Sequence, residues 1–450
     1  MSFYLVKQTK RVKGRIQLPG DKSIANRAVI ISSISPGKTE INNFPPNEDC
    51  LHTVKIFKNL GIKIRQDRSG KQIVVYGRGL YGLRKPKAAV SAGDSGTTFR
   101  LTLGVLAGQG FAVTLRAGKF LSRRPMLRVT APLRKMGAVI RSKVACLPDR
   151  QVSLESKPEE YPPITIKGGK LKPITYRIPV ASAQVKSAIL LAGLYAKDKT
   201  SVIEPLKTRD HTERMLRLFK AGIKVSGNTV VIKGSKELVS PGKLIIPGDI
   251  SSASFFMALG AILPDSHILI QNVNLNPTRM GIIKVLKRMG ADIKVISCNS
   301  KTAGYEPIGD LSIKSSKLQG TAVRKDEIPS LIDELPVLMV AACFSKGRSV
   351  FEGVSELRVK ETDRINSMTG NLIKMGADIK IKKERGSEKI IIRGTGKLKG
   401  ARVKSFSDHR TAMSMVVAGL AARGQTSIDD TRCINKSFPD FLTLLKAIIK

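Results

Sequence analysis

One pattern of residues occurs six times along this chain of 450 residues. Each copy opens with Asp or Ser, residues that cap helices well, and continues as a run rich in Ala, Ser, Gly and Leu. The copies begin near Asp21, Ser95, Ser182, Asp249, Asp333 and Asp408. A period of roughly 75 residues is longer than the repeat of a solenoid protein, so we interpret each copy as part of a separate α/β unit.

A second segment, a helix that ends near a glycine and runs into a strand, lies between the copies. Glycine is the usual left-handed residue after a helix, and the alternating residues that follow it are typical of a strand. The five glycines are Gly61, Gly137, Gly222, Gly290 and Gly376. No sixth copy lies inside the chain, and we expect a terminal helix over 441–449 to replace it. The N-terminal strand then completes the sixth unit.

The segment Leu18-Pro-Gly-Asp21 is matched by Ile246-Pro-Gly-Asp249, and three units lie between the two copies. Each copy follows a strand-like pattern and opens a helix of small residues. We therefore predict a discontinuous domain over 1–20 plus 246–450 and an inserted domain over 21–245. Each domain has three α/β units, and the two copies are the strands that cross between the domains.

The charge of the chain favours an anionic partner. Lys and Arg number 78 and Asp and Glu 35, which gives a net charge of +43. Such a balance suits phosphates, carboxylates, nucleic acid or an acidic surface, although a solvated basic surface has the same composition. Tryptophan is absent and aromatic residues are 5% of the chain, so stacking surfaces for single strands are scarce. We regard nucleic acid as an unlikely partner.

Several other classes of protein are disfavoured. No uninterrupted apolar run is long enough to span a bilayer, and we recognise neither a signal peptide nor a transit peptide. The cysteines have no CxxC spacing, which suits reduced thiols in a cytoplasm, and the four histidines are too scattered for a metal site. The cysteines are Cys50, Cys146, Cys298, Cys343 and Cys433.

Two motif-like segments lack the context that their chemistry needs. Gly77-Arg-Gly-Leu-Tyr-Gly82 matches a dinucleotide-binding pattern, but Pro86 follows it where a helix is required. Arg209-Asp-His-Thr-Glu213 resembles part of a metal site or catalytic triad, but it lacks a second histidine and a nucleophile elbow. We expect neither a dinucleotide nor a metal ion at these places.

The starts of the repeated helices carry groups suited to anions. Lys22 and Ser23 lie in the first turn after Asp21, and Arg27 shares a helix face with Ser23. A cation, a hydroxyl and unpaired N–H groups at a helix start form an anion site, although an ordinary cap with solvated charges has the same residues. Comparable groups begin other copies, namely Gly96, Gln184 and Arg410.

Two further segments hold carboxylates beside cations or apolar residues. Lys360 and Arg364 are four residues apart with Glu361 between them, a pattern that also fits a salt-bridged surface helix. Asp333 and Glu334 lie in an apolar run, where a carboxylate can cap a helix or act as an acid or base.

Taken in order, six motifs resemble the 5-enolpyruvylshikimate-3-phosphate synthase family over nearly the whole chain. They are Gly20-Asp-Lys-Ser23, Ser95-Gly-Thr-Thr98, Arg124-Pro-Met126, Ser182-Ala-Gln-Val-Lys186, Lys360-Glu-Thr-Asp-Arg364 and Asp408-His-Arg410. The forms of Ser182–Lys186, Arg209–Glu213 and Asn276–Arg279 resemble the second bacterial class of that family. The sister UDP-N-acetylglucosamine enolpyruvyl transferases match less well, since they have Lys-Asn in place of Lys22-Ser23 and lack the 360–364 run.

The resemblance implies an α/β fold of two similar domains, an inside-out α/β barrel, with the active site in the cleft between them. It implies transfer of the enolpyruvyl group of phosphoenolpyruvate to the 5-hydroxyl of shikimate 3-phosphate, in the shikimate pathway towards chorismate and aromatic amino acids. It implies a cytoplasmic enzyme without metal or organic cofactor, and we expect a monomer. The alternatives are a UDP-N-acetylglucosamine enolpyruvyl transferase and a nucleic-acid-binding protein that is not an enzyme.

The resemblance also assigns residues, position by position. Those matching contacts to shikimate 3-phosphate are Lys22, Ser23, Arg27, Ser182, Gln184, Arg209, Asp333 and Lys360. Those matching contacts to phosphoenolpyruvate are Lys22, Gly96, Arg124, Gln184, Arg364, Arg410 and Lys436. Asp333 takes the hydroxyl proton, and Glu361 with Lys22 serves proton delivery and charge stabilisation. Ala183 stands where other members carry a second serine.

Overall fold

The computed structural model describes residues 3–145, 159–299, 305–384 and 387–450. The α-helices of these residues are α1 Lys22–Ser33, α2 Glu48–Asn59, α3 Gly96–Leu106, α4 Leu127–Lys135, α5 Ala183–Gly193, α6 His211–Leu218, α7 Ile250–Ile262, α8 Gly281–Arg288, α9 Leu335–Phe344, α10 Arg364–Lys374, α11 His409–Ala421 and α12 Phe441–Ile448. Short 3₁₀ turns cover Leu121–Arg123, Pro277–Arg279, Ile328–Ser330, Ser355–Val359 and Arg432–Lys436.

The strands alternate with these helices along the chain. They are β1 Tyr4–Lys7, β2 Lys13–Gln17, β3 Gly37–Asn42, β4 Lys63–Gln66, β5 Gln72–Gly77, β6 Val90–Ser91, β7 Ala112–Arg116, β8 Val139–Ala145, β9 Glu159–Lys167, β10 Thr175–Arg177, β11 Lys199–Ile203, β12 Gly222–Ser226, β13 Thr229–Lys233, β14 Lys243–Ile245, β15 His267–Asn274, β16 Asp292–Asn299, β17 Ile308–Lys314, β18 Ala322–Val323, β19 Lys346–Glu352, β20 Asp378–Glu384, β21 Ser387–Thr395, β22 Arg402–Val403 and β23 Gln425–Ile428.

Six small sheets of the described residues repeat one topology. Five have the orders β14-β3-β5-β4, β6-β7-β9-β8, β10-β11-β13-β12, β2-β15-β17-β16 and β18-β19-β21-β20. In each, the first two strands are parallel and the later pairs are antiparallel. The predicted α/β fold of repeated units is confirmed.

The sixth sheet has three strands in the order β22-β23-β1, and β1 is antiparallel to β23. The N-terminal strand therefore supplies its last position, as the sequence suggests. At the other end of the chain, α12 packs against β2, and Ile449 forms a bridge with Val12. The N-terminal strand thus completes the sixth sheet, whereas α12 contacts a strand of another sheet.

The internal contacts divide the chain into two compact units. The terminal unit comprises Met1–Asp21 and Pro247–Lys450, and the inserted unit comprises Lys22–Ile246. In the terminal unit the two Pro-Gly-Asp segments lie side by side: the N–H of Asp21 donates to the carbonyl of Pro247 at 2.7 Å, and the N–H of Asp249 donates to that of Pro19 at 3.1 Å.

The helices of small residues lie in the cores of the units. In the terminal unit α7, α9 and α11 pack on one another, and in the inserted unit α3 packs against α1 and α5. Gly104 of α3 shows why the residues are small, since a Cβ there would lie 2.3 Å from the carbonyl oxygen of Ala188 in α5. Only glycine permits this close approach of the two backbones.

Most of the predicted helix starts are found as capped ends. The side chains of Ser95, Ser182, Asp249 and Asp408 accept hydrogen bonds from N–H groups in the first turns of their helices. The helix predicted to begin near Asp21 is α1, which begins directly after that residue. The copy at Asp333 differs, because α9 begins only at Leu335 and the residue before it is Glu334.

The predicted helix ends are found in four of the five places. Gly61, Gly137, Gly290 and Gly376 have positive φ, as a left-handed C-cap requires. The prediction for Gly222 is wrong. Helix α6 ends at Leu218, two residues earlier than expected, and Lys220 takes the left-handed conformation with φ of 60°. Gly222 is instead the first residue of β12.

The remaining structural findings concern membranes, metals and thiols. No helix of the described residues is long and apolar enough to cross a membrane. These residues also contain no group of three or more His, Cys, Asp or Glu side chains able to hold a metal ion. Cys50, Cys343 and Cys433 are buried. Cys146 and the side chain of Cys298 lie outside the described residues.

Candidate functional site

A cluster of charges in the terminal unit is centred on Arg364, the first residue of α10. Its guanidinium donates from Nε to Oδ2 of Asp408 at 2.9 Å and from Nη2 to Oε2 of Glu361 at 2.6 Å. Its Nη1 lies 3.6 Å from Oδ1 of Asp333. Burial lowers the pKa of Arg364, but the three carboxylates outweigh that effect and hold the pKa above its ordinary value. The group is a fixed cation.

Asp333 lies between two guanidinium groups. Arg410 donates from Nη1 to the backbone carbonyl of Asp333 at 2.8 Å, and its Nη2 lies 3.9 Å from Oδ2 of the same residue. The side chain of Asp333 is 17% exposed, whereas that of Arg364 is 1% exposed. A carboxylate that is partly exposed and held beside cations has the placement that a general base needs.

Asp408 brings the starts of two helices together. Its Oδ1 accepts from the backbone N–H groups of Arg410 and Thr411, which caps α11. Its Oδ2 accepts from Arg364 in α10. One buried carboxylate therefore places both arginines of the cluster, because Arg410 belongs to the helix that it caps.

Lys436 and Lys360 lie at the border of this cluster. Nζ of Lys436 is 3.5 Å from the backbone carbonyl of Ser407, the residue before Asp408. Ser407 and its neighbour Phe406 both have positive φ, at 57° and 53°, which is a strained conformation for residues other than glycine. Lys360 is half-buried and directly precedes Glu361. The structure thus brings together most of the residues predicted for the terminal unit.

In the inserted unit, Lys22 begins α1 and is held by a carboxylate. Its Nζ donates to Oδ2 of Asp49, in the first turn of α2, at 2.8 Å. The side chain of Lys22 is 16% exposed, so the ammonium group is fixed but still reachable from solvent.

Arg27 is directed into the inserted unit. It is 3% exposed and donates from Nε to Oγ1 of Thr212 at 2.6 Å and from Nη2 to Oγ of Ser187 at 2.9 Å. Its Nη1 donates to the backbone carbonyl of Ser23 at 2.8 Å. These bonds join α1 to α5 and α6. Arg209 lies in the loop that leads into α6.

Gln184, Gly96 and Arg124 lie around Arg100. Oε1 of Gln184 accepts from Nη1 of Arg100 at 2.6 Å, and its Nε2 donates to Oγ1 of Thr97 at 2.9 Å. A Cβ on Gly96 would lie 2.8 Å from Nη1 of Arg100 and 3.1 Å from Nη1 of Arg124. The missing side chain of Gly96 therefore makes room for two guanidinium groups.

Ser182 has a structural contact of its own. Its Oγ accepts from the backbone N–H of Val185 at 3.4 Å and caps α5, two residues before Gln184. The hydroxyl thus helps to fix the helix start that carries Gln184.

Comparisons with known proteins show the family of this chain. The sequence model of the EPSP synthase family, 3-phosphoshikimate 1-carboxyvinyltransferase, matches residues 6–445. The chain belongs to the EPSP synthase family. A protein of Desulforamulus reducens with the name 3-phosphoshikimate 1-carboxyvinyltransferase is 47% identical over 445 residues, which cover 99% of each chain. A protein of the same name from Citrifermentans bemidjiense is 44% identical over 450 residues, or 100% of each.

Solved structures are also similar to this member of the EPSP synthase family. The EPSP synthase from Acinetobacter baumannii has a TM-score of 0.84 and 41% identity, over 100% of this chain and 98% of that one. The enolpyruvyl transferase NikO from Streptomyces tendae has a TM-score of 0.75 over 99% and 97% of the chains. At 15% identity that likeness concerns the fold alone. The resemblance seen in the motifs is confirmed.

In this member of the EPSP synthase family, several motif residues have buried partners that the motifs do not indicate. Lys186 binds Glu204 at 2.9 Å and Glu213 at 2.6 Å, and all three side chains are buried. Glu213 of the 209–213 motif is thus part of an ion pair in the inserted unit. Arg279 likewise pairs with Glu334. One signal was visible in the sequence: a charged residue inside an apolar run needs a buried partner.

Proposed function

We propose that this chain transfers the enolpyruvyl group of phosphoenolpyruvate to the 5-hydroxyl of shikimate 3-phosphate. The products are 5-enolpyruvylshikimate 3-phosphate and phosphate, and the step belongs to the shikimate pathway towards chorismate and aromatic amino acids. The observation that carries the proposal is the partly exposed Asp333 between Arg364 and Arg410, in a chain of the EPSP synthase family.

Both substrates are multiply charged anions, and the proposed contacts are mainly cations and hydrogen-bond donors. Arginine suits the two-pronged binding of carboxylate and phosphate, and lysine supplies a compact charge. For phosphoenolpyruvate we propose Lys22, Gly96, Arg124, Gln184, Arg364, Arg410 and Lys436. For shikimate 3-phosphate we propose Lys22, Ser23, Arg27, Ser182, Gln184, Arg209, Asp333 and Lys360.

The chemistry has an addition and an elimination. In the addition Asp333 accepts the proton of the 5-hydroxyl, whose oxygen bonds to C2 of phosphoenolpyruvate, while the methylene carbon C3 gains a proton and becomes a methyl group. Glu361 and Lys22 deliver that proton and stabilise the charge that develops. In the elimination the methyl group returns a proton, the C2–O bond to phosphate breaks, and the double bond forms again.

The proposed steps use side chains of the protein without a cofactor or metal. The partners are the two small-molecule substrates, and we propose a monomer in the cytoplasm.

Phosphate release from mixtures of candidate substrates tests this function. We expect release only when phosphoenolpyruvate and shikimate 3-phosphate are both present, and we expect it to survive EDTA. Reactions that omit either substrate are the controls. Release with UDP-N-acetylglucosamine in place of shikimate 3-phosphate would assign the chain to the sister activity, and no release with either acceptor would overturn the proposal.

A further inference from the structure

A buried ion pair lies behind the contact between Asp333 and Arg410. Nη2 of Arg279 donates to Oε1 of Glu334 at 3.1 Å, and the two side chains are 1% and 0% exposed. The hydroxyl of Ser251 bridges the pair, since it donates to the same Oε1 and accepts from Nη2 of Arg279. The pair joins the turn Pro277–Arg279, which precedes α8, to the residue before α9, and Ser251 links both charges to the start of α7.

Several carboxylates stabilise the positive charge of Arg279. Burial lowers the pKa of Arg279, but Glu334, Asp21, Asp249 and Asp333 outweigh that effect and raise it above its ordinary value. Burying two charges is costly, and a well-packed apolar pair of similar size is often as stable. Stability alone is therefore a poor explanation for this pair, and a role in placing a neighbour explains it better.

That neighbour is Arg410. Nη1 of Arg410 lies 3.9 Å from Oε1 of Glu334, while the same atom donates to the backbone carbonyl of Asp333 at 2.8 Å. Asp333 and Glu334 thus both hold the guanidinium of Arg410. Asp333 does so through its backbone carbonyl and its partly exposed carboxylate, and Glu334 through its buried carboxylate. Within the described residues, the buried Oε2 of Glu334 has no hydrogen-bond partner. The oxygen that lies 3.9 Å from Arg410 is Oε1, which Ser251 and Arg279 hold in place.

We propose that Glu334, anchored by Arg279 and Ser251, is a positioning residue that holds Arg410 in the orientation needed to bind phosphoenolpyruvate. The inference rests on the proposed function, in which Arg410 contacts that substrate. A cation that is already fixed loses less conformational freedom when the anion binds, and so binds it more tightly. Without Glu334, Arg410 keeps its charge but is held from one side only.

Glu334→Gln is the direct test, because it removes the charge and keeps the size of the side chain. We expect the KM for phosphoenolpyruvate to rise roughly five- to tenfold, as for the loss of one ordinary hydrogen bond, while kcat falls less. The KM for shikimate 3-phosphate should stay within about twofold of wild type. A merely structural role would lower the active fraction, and hence the apparent kcat, without this selective change in KM.

Glu160→Gln is the control, since Glu160 forms an ion pair with the more exposed Arg134 in the inserted unit. We expect it to leave both KM values unchanged. If Glu334→Gln does not fold, Ser251→Ala decides, because it removes the bridge and leaves both charges paired. We then expect a two- to threefold rise in the KM for phosphoenolpyruvate.

An unchanged KM for phosphoenolpyruvate in folded Glu334→Gln, or in Ser251→Ala if the former does not fold, would overturn the inference. The wild-type chain is measured in the same series. If it releases no phosphate from the two substrates, the proposed function fails and this inference with it. If it is active and the variants match it, only the inference fails.

Discussion

Three carboxylates surround Arg364, and their exposure separates their roles. Asp408 is fully buried and caps α11, whereas the side chains of Asp333 and Glu361 are 17% and 23% exposed. A buried cap has a structural role, while a carboxylate that solvent reaches is able to exchange a proton with a substrate. This difference supports Asp333 and Glu361, and not Asp408, as the groups that transfer protons.

Asp333→Asn tests the first of these groups. The change keeps the size of the side chain and removes the base, so we expect kcat to fall by roughly 10²- to 10⁴-fold. The KM for shikimate 3-phosphate should change far less. Steady-state phosphate release gives both constants, and a melting curve shows whether the variant is folded. A folded variant with full activity would remove Asp333 from the mechanism.

Gly96→Ala tests the packing of the guanidinium groups in the inserted unit. A methyl group would lie 2.8 Å from Nη1 of Arg100 and 3.1 Å from Nη1 of Arg124, so both must shift. We expect the KM for phosphoenolpyruvate to rise several-fold, because Arg124 is one of its proposed contacts. Gly110→Ala is the control, since a Cβ there meets nothing within 4 Å. Equal KM values for the two variants would contradict this assignment.

A substitution at the end of helix α6 measures backbone strain. Lys220 has φ of 60°, where the other helix ends of this type have glycine. A side chain in this conformation costs roughly 1–2 kcal/mol, part of which is offset by the greater freedom of glycine in the unfolded chain. We expect Lys220→Gly to raise the free energy of unfolding by up to about 1 kcal/mol.

Gly290→Ala is the converse variant, because Gly290 has φ of 93° at the end of α8. It should lower the free energy of unfolding by about 1 kcal/mol. Denaturant unfolding measures both. A destabilised Lys220→Gly would show that α6 does not end at a strained left-handed residue.

Local signals in the sequence were sufficient to find most helix starts and ends. Caps and left-handed glycines depend on residues that are close in the chain, and Ser95, Asp408 and Gly376 show them plainly. The pattern failed at Gly222, because Lys220 and not a glycine takes the left-handed conformation at the end of α6.

The partners of the site residues are far apart in the sequence and become neighbours only in the folded chain. Arg27 binds Ser187, 160 residues away, and Arg279 binds Glu334, 55 residues away. The spacing of residues in one sequence does not show which distant side chains become partners. The types of residue in the candidate site were therefore predictable, whereas the ion pairs that fix them were not.

In the complete fold, the N-terminal strand β1 is the last strand of the sixth sheet. Val6 of β1 is buried in the core of the terminal unit, whereas Leu5 beside it is 57% exposed. We expect Val6→Ala to lower the free energy of unfolding by about 1.5 kcal/mol, from the loss of two buried carbon groups. Leu5→Ala is the control and should change it by less than about 0.5 kcal/mol. Equal effects of the two changes in denaturant unfolding would contradict the role of β1 as an integral strand.

The central claim is that the chain joins the enolpyruvyl group to the 5-hydroxyl through a protonated C3. NMR of the product formed in D₂O from phosphoenolpyruvate and shikimate 3-phosphate tests it most directly. We predict an enol ether at the 5-oxygen, with deuterium in its methylene group, because C3 gains a solvent-derived proton and then loses one. Cleavage of phosphoenolpyruvate to pyruvate and phosphate with no enol ether would contradict the account.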